Sequence, residues 1–174
     1  MPRHQPAALP IAYVVLRVLI VLNWIYGALL LAILGLSLAN EHWTFMALGV
    51  PVSDQTRPLV MGMRAIAALG LLTVPLNLAM LKQLVAMVHT VRAGDPFVAD
   101  NANRLQAIAW VLLALQLISL IIWAIGKAVS TPAHPLHLNA GFSPAGWLAV
   151  VLTFVLARVF AEGTLMREDL EGTV

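Results

Sequence analysis

Four long, almost uncharged apolar runs constrain this 174-residue chain more than any other feature. The first carries no charge from Val18 to Ala39, and the second runs from Pro58 to Leu81 with Arg64 as its one charge. The third runs from Leu105 to Gly126, and the fourth from Phe142 to Ala157 and past Arg158 to Ala161. A bilayer core is about 30 Å thick and is crossed by about 20 helical residues. Each run can therefore span, the last if Arg158 snorkels its guanidinium to the interface. Lipid offers the backbone no hydrogen-bond partner, so the spans must be helices. The predicted fold is all-α: a four-helix transmembrane bundle forming one integral membrane domain over 1–174, with spans at about 11–39, 58–82, 104–127 and 143–163.

Composition sharpens the point. Hydrophobic residues make up 61% of the chain and charged residues 10%, against about 45–50% and about 25% in soluble domains. A water-soluble fold of this size leaves roughly a third of its unfolded surface exposed and could not hide so much apolar side chain. An ordinary soluble enzyme, a disordered tail and a direct nucleic-acid binder are excluded on this ground. Cysteine is absent, which removes disulfides, thiolate zinc sites, iron–sulfur clusters and a cysteine nucleophile together. The first run exceeds the 7–15 residues, roughly, of a signal-peptide core and reads as an uncleaved span.

Orientation follows from Lys and Arg. With the N-terminus inside, the inner side holds Arg3, Arg17, Lys82, Arg92, Arg104, Arg158 and Arg167, and the outer side only Arg57, Arg64 and Lys127. Both termini are expected on the cytoplasmic side of the membrane. Trp43, Trp123 and Trp147 then fall near the outer interface and Trp110 near the inner one, while Trp24 fits no belt and is expected to pack between helices. The outer segment 40–57 is semi-apolar and is expected to fold as a lid over the bundle, with Asp54 or Glu41 available to partner Arg64.

The inner connection, 82–104, is the most informative. Gly94 is a helix stop, Asp95-Pro96 enforces an extended or turn conformation, and Asp100 or Asn101 can cap the next helix. The second helix is predicted to continue beyond Lys82 to about Ala93, giving an ordered cytoplasmic hairpin. The tail, 164–174, continues the fourth helix. Leu156, Val159, Phe160, Gly163, Met166 and Leu170 follow a 3.6-residue spacing, and Arg158 and Glu162 form an i,i+4 pair.

Little here points to catalysis. No Asp or Glu lies within a span core, and Ser119 has no histidine at matching depth, so an intramembrane hydrolase has no acid pair or Ser–His dyad. No catalytic residue and no cofactor is assigned. The histidines, His4, His42, His89, His134 and His137, lie outside the span cores, where a membrane haem would need them. Pro135 breaks the helix that would bring His134 and His137 to one face, so no metal site is assigned either. Arg64 is expected to snorkel outward, and Asn77 and Gln116 to pair across the second and third helices as simple adhesion; the sharper alternative takes Arg64, Asn77 and Gln116, with a kink at Pro75, as a candidate ligand pocket within the spans. Ala28 and Ala32, four residues apart, permit pairing between copies of the chain, a possible homo-oligomer.

The hairpin and tail carry a resemblance. Gly94-Asp95-Pro96-Phe97, then Asn101 and Arg104-Leu105 leading to Ile108, resembles a Gly-x-Pro-Phe turn followed by an asparagine and a basic-apolar helix start. Val159-Phe160-Ala161-Glu162-Gly163, with the acidic stretch to a final Thr173-Val174, is similar to the ending of the same family. That family is the bacterial four-span group called domain of unknown function 2975. Ala109 departs from its pattern, which has glycine there, and this bears on packing at the base of the third helix. The family has no established activity. Its members are often encoded beside a small helix-turn-helix regulator, so the resemblance implies a membrane partner of a cytoplasmic transcription factor. Arg92, Asp95, Phe97, Asn101 and Arg104 would form one contact surface, and Glu162, Arg167, Glu168 and Asp169 the other. The alternative is a stand-alone membrane sensor or binder of a lipid or small apolar molecule.

Overall fold

The computed structural model describes residues 8–171 except Pro51 and His137, with side chains described over 9–167. All its regular elements are helices: α1 Ala8–Ala39, α2 Glu41–Ala47, α3 Arg57–Arg92, α4 Ala99–Val129 and α5 Pro144–Glu171. Four are long and apolar enough to cross a membrane. With a rise of 1.5 Å per residue, the 36 residues of α3 extend roughly 54 Å and outrun a bilayer core of about 30 Å. The predicted spans are therefore cores of longer helices. α4 begins at Ala99, ahead of the expected 104, and α2 is an additional short helix within 40–57.

Local chemistry sets the helix ends. Asn40 caps α2, its side chain accepting from the Trp43 amide at 3.2 Å. α2 stops at Gly49, whose φ of +77° is open to glycine without a Cβ penalty. There the Gly49 and Val50 amides return to the Met46 and Phe45 carbonyls at 3.0 and 2.8 Å, a Schellman closure. α3 stops in the same way at Gly94, with φ of +90°. The Gly94 amide bonds the Val91 carbonyl at 3.1 Å and the Asp95 amide the Thr90 carbonyl at 3.2 Å.

The chain divides into two compact units, to which α1, α3 and α4 each contribute. One comprises Asn23–Pro75 and Leu115–Ser143. Its core gathers Phe45, Val50, Leu59 and Val60, with Val52, Met63, Val129 and Leu136 packed against them. α2 is thus held by one face, with Phe45 inward and Trp43 and Met46 exposed, and the expected lid is an anchored amphipathic helix. In this unit α1 and α3 approach through small residues. A Cβ on Gly27 would lie 3.0 Å from a Val74 methyl, and one on Gly70 2.9 Å from Leu30. Buried Asn23 donates to the Val74 carbonyl at 3.0 Å, just before Pro75. The Gly141 amide, in the α4–α5 connection, donates to Ser119 Oγ at 3.0 Å. Trp24 corrects an expectation: it is 60% exposed, because Asn23 and Gly27 take the inward positions of that turn.

The second unit comprises Met1–Leu22, Leu76–Ala114 and Pro144–Val174. Ala102, Leu105, Ile108 and Ala109 of α4 are buried. Ala109 is completely so, and a methyl group fits where the resemblance implied glycine. On α5 the buried positions are Val150, Ala157 and Thr164, spaced by seven as in a helix seam. The stripe expected from hydrophobicity is corrected here. Leu156, Val159 and Met166 are exposed, and Leu170 lies outside the described side chains. In lipid, apolar bulk has no reason to turn inward, and small residues make the helix contacts.

Close helix approach makes a testable difference between two glycines. A Cβ on Gly62 of α3 would lie 2.7 Å from both Val129 methyls of α4, whereas Gly35 has nothing within 4 Å. Gly62→Leu is expected to destabilise the chain by about 1–3 kcal/mol, read as a lower thermal midpoint in detergent. Gly35→Ala is expected to be neutral or stabilising by up to about 1 kcal/mol.

Candidate functional site

The hairpin between α3 and α4 is organised by one buried amide. Asn101, in the first turn of α4, is 0% exposed. Its Nδ2 donates to the Pro96 carbonyl at 2.9 Å and to Thr90 Oγ1 at 2.8 Å. Its Oδ1 accepts from Arg104 at 2.8 Å, and Thr90 Oγ1 in turn donates to the Met87 carbonyl at 2.8 Å. An amide has two N–H donors and one carbonyl acceptor, and all three are used. Arg104 also pairs with Asp100 at 3.5 Å. The capping expectation is corrected: Asn101 ties together the end of α3, the turn and the start of α4, and its burial removes it from any partner surface.

α5 docks on this hairpin through a clasp. Arg167 pairs with Asp95, and the Phe97 ring lies 5.2 Å from that of Phe160, tilted by 32°. Gly163 lets Phe97 approach; a Cβ there would lie 3.2 Å from Cδ1 of the ring. Both members of the ion pair are over two-fifths exposed, and such pairs contribute only about 0.2–1 kcal/mol. The aromatic contact is worth about 0.5–1.5 kcal/mol beyond its buried area. Phe97 therefore holds the clasp and the ion pair orients it. Half of the Phe97 side chain's surroundings remain open, with the residue 44% exposed.

The other expected contact residues fall around the clasp. Glu162 pairs with Arg158 one turn back on α5. Arg92 turns to the Tyr13 ring of α1, with Cζ 6.0 Å from its centroid. Glu168 and Asp169 lie outside the described side chains. Thr90, Phe160 and Tyr13 complete these contacts. No motif singles out Thr90, which lies eleven positions before Asn101 and on the other side of a turn between two helices.

The expected pocket is redrawn. Arg64 does hold a polar site, donating to Glu41 Oε2 at 3.0 Å and to the Ser37 carbonyl, with Cζ 5.6 Å above the Phe45 ring. It borders a cavity of about 540 Å³ whose lining includes Glu41, Asp54 and Arg57 but neither Asn77 nor Gln116. Among the described residues no group of three or more His, Asp or Glu is placed to hold a metal ion, and His137 lies outside them.

Four apolar helices of spanning length, with their polar clusters gathered at connections and helix ends, define an all-α, multi-pass membrane protein. The chain matches, over residues 12–174, the family described as protein of unknown function (DUF2975), and it belongs to that family. No curated protein and no solved structure matches it.

Asn101→Leu is expected to cost about 1–3 kcal/mol by stranding the Pro96 carbonyl and Arg104, with faster amide exchange across 87–104. Arg104→Gln, at a partly exposed ion pair, is expected to cost under about 1 kcal/mol.

Proposed function

We propose that the chain is a regulatory protein of the bacterial inner membrane, with both termini cytoplasmic, that docks a small helix-turn-helix transcription factor on its hairpin and α5. The clasp is the observation that carries this reading. Asp95, Phe97 and Arg167 form a half-exposed aromatic and charged surface, and a buried asparagine fixes the hairpin beneath it. Such a surface is preorganised, so a partner would not have to order it. The acidic residues Glu162, Glu168, Asp169 and Glu171 add charge suited to a basic DNA-binding domain. The class of partner is the one the family resemblance implies. On this reading the chain is not an enzyme and needs no cofactor.

The cavity beside Arg64 favours a second role as a sensor. Its lining of Glu41, Asp54, Arg57 and Arg64 suits a small polar molecule better than a lipid or an apolar one.

Tagged chain recovered from native membranes is expected to bring down a small helix-turn-helix protein, identified by mass spectrometry. Recovery of that protein should fall at least about tenfold with Phe97→Ala combined with Arg167→Glu, a loss of about 1.4 kcal/mol or more. Equal recovery with the variant would place the contact elsewhere, and recovery of the chain alone would favour the sensor.

A further inference from the structure

The arginines differ in whether a carboxylate is within reach. Arg64, Arg104, Arg158 and Arg167 each have one. Arg17, Arg57 and Arg92 have none among the described residues; Arg57 borders the cavity beside Arg64, whereas Arg17 and Arg92 converge on one ring. Arg17 Nε donates to the Tyr13 hydroxyl at 3.1 Å, and its Cζ lies 5.2 Å from the ring centroid. Arg92 Cζ lies 6.0 Å from the same centroid. The His89 ring meets Tyr13 edge-on at 5.4 Å.

Two guanidiniums beside one ring, with no carboxylate among the described residues to offset them, repel each other. The Tyr13 face offsets part of this by cation–π attraction but supplies no negative charge. Among the described residues both guanidiniums keep N–H groups for a further acceptor, and the Tyr13 hydroxyl, which accepts from Arg17, still has its own proton to donate. This set matches the acceptor oxygens of a phosphate. The surroundings say from where the phosphate comes. Val14, Val15, Val18 and Leu19, beside Arg17 on α1, are exposed apolar side chains, which a membrane helix turns toward acyl chains.

We propose that Arg17, Arg92, Tyr13 and His89 form a binding site for the headgroup phosphate of an anionic phospholipid. The site rests on the membrane reading and is independent of whether a regulator docks at the clasp. It seats the joined ends of α1 and α3 at the phosphate layer of one leaflet.

The test uses delipidated full-length chain in neutral detergent, titrated with phosphatidylglycerol and followed by native mass spectrometry. Arg17→Gln with Arg92→Gln is expected to weaken binding roughly thirtyfold, and Arg92→Gln alone roughly fivefold, at the usual contribution of a basic residue near an anionic surface. Arg158→Gln, which removes an exposed arginine paired with Glu162 elsewhere, should leave binding unchanged. Phosphatidylcholine should bind at least about tenfold more weakly than phosphatidylglycerol. The single variant carries the test should the double variant not fold. Undiminished binding by the variants would overturn the proposal, as would equal binding of phosphatidylcholine. Thermal stabilisation by inorganic phosphate alone, matching that by phosphatidylglycerol, would assign the site to a free anion and overturn the lipid.

Discussion

Lipid gives the peptide backbone no hydrogen-bond partner, and this chain's architecture follows from that constraint. It requires helices wherever the sequence is apolar, and it confines the polar side chains to places where protein partners exist. The consequence is visible at Pro75. A proline inside a helix removes one backbone donor, and α3 continues through Pro75; beside it buried Asn23 spends its side-chain donor on a backbone carbonyl, that of Val74. The same constraint orders the packing. With no hydrophobic drive between helices, contacts form where Gly27, Gly62, Gly70 and Gly163 admit a neighbour, and bulky Leu and Val side chains point outward.

Besides the Tyr13 cluster, polar chemistry gathers around Arg64 in one unit and around Asn101 in the other. Around Arg64 a guanidinium, a carboxylate and a backbone carbonyl satisfy one another beside an open cavity. Around Asn101 a buried amide fixes the hairpin, and the Phe97 and Asp95 contacts then set α5 against it. The second arrangement has a hierarchy. Asn101 itself is fully buried, so its loss strands the Pro96 carbonyl and Arg104, whereas the ion pair above it is exposed. A partner docking on the hairpin and α5 would meet Phe97 and Asp95 already set in place by the clasp.

Much of the fold was legible because helix length and turn chemistry are local. The four spans, the Gly94 stop, the continuation of the second helix to about Ala93 and the Arg158–Glu162 pair all rest on neighbouring residues. What could not be read depends on which face of a helix turns inward. Hydrophobic periodicity finds that face in water, but in lipid the signal fails: of the α5 residues at 3.6-residue spacing Phe160 and Gly163 meet the hairpin, whereas Leu156 and Val159 are exposed, and Val150, Ala157 and Thr164 are the buried positions. Asn101 reads as a cap because asparagine at a helix start usually is one. Its partners Thr90 and Pro96 become visible only once the chain turns back. Glu41 was among the two foreseen partners of Arg64, but the cavity beside that arginine is lined largely by the segment 52–61 and not by Asn77 or Gln116.

The central claim is that the hairpin and clasp face the cytoplasm, and the cysteine-free sequence permits a direct measurement. Single cysteines placed at Gln55, between α2 and α3, and at Asn103, early in α4, are both at exposed positions. Intact cells lacking the outer barrier would be treated with a membrane-impermeant maleimide. The account predicts labelling of Gln55→Cys at once and of Asn103→Cys only after the membrane is opened. The reverse pattern would put the clasp outside the cell and contradict docking of a cytoplasmic regulator.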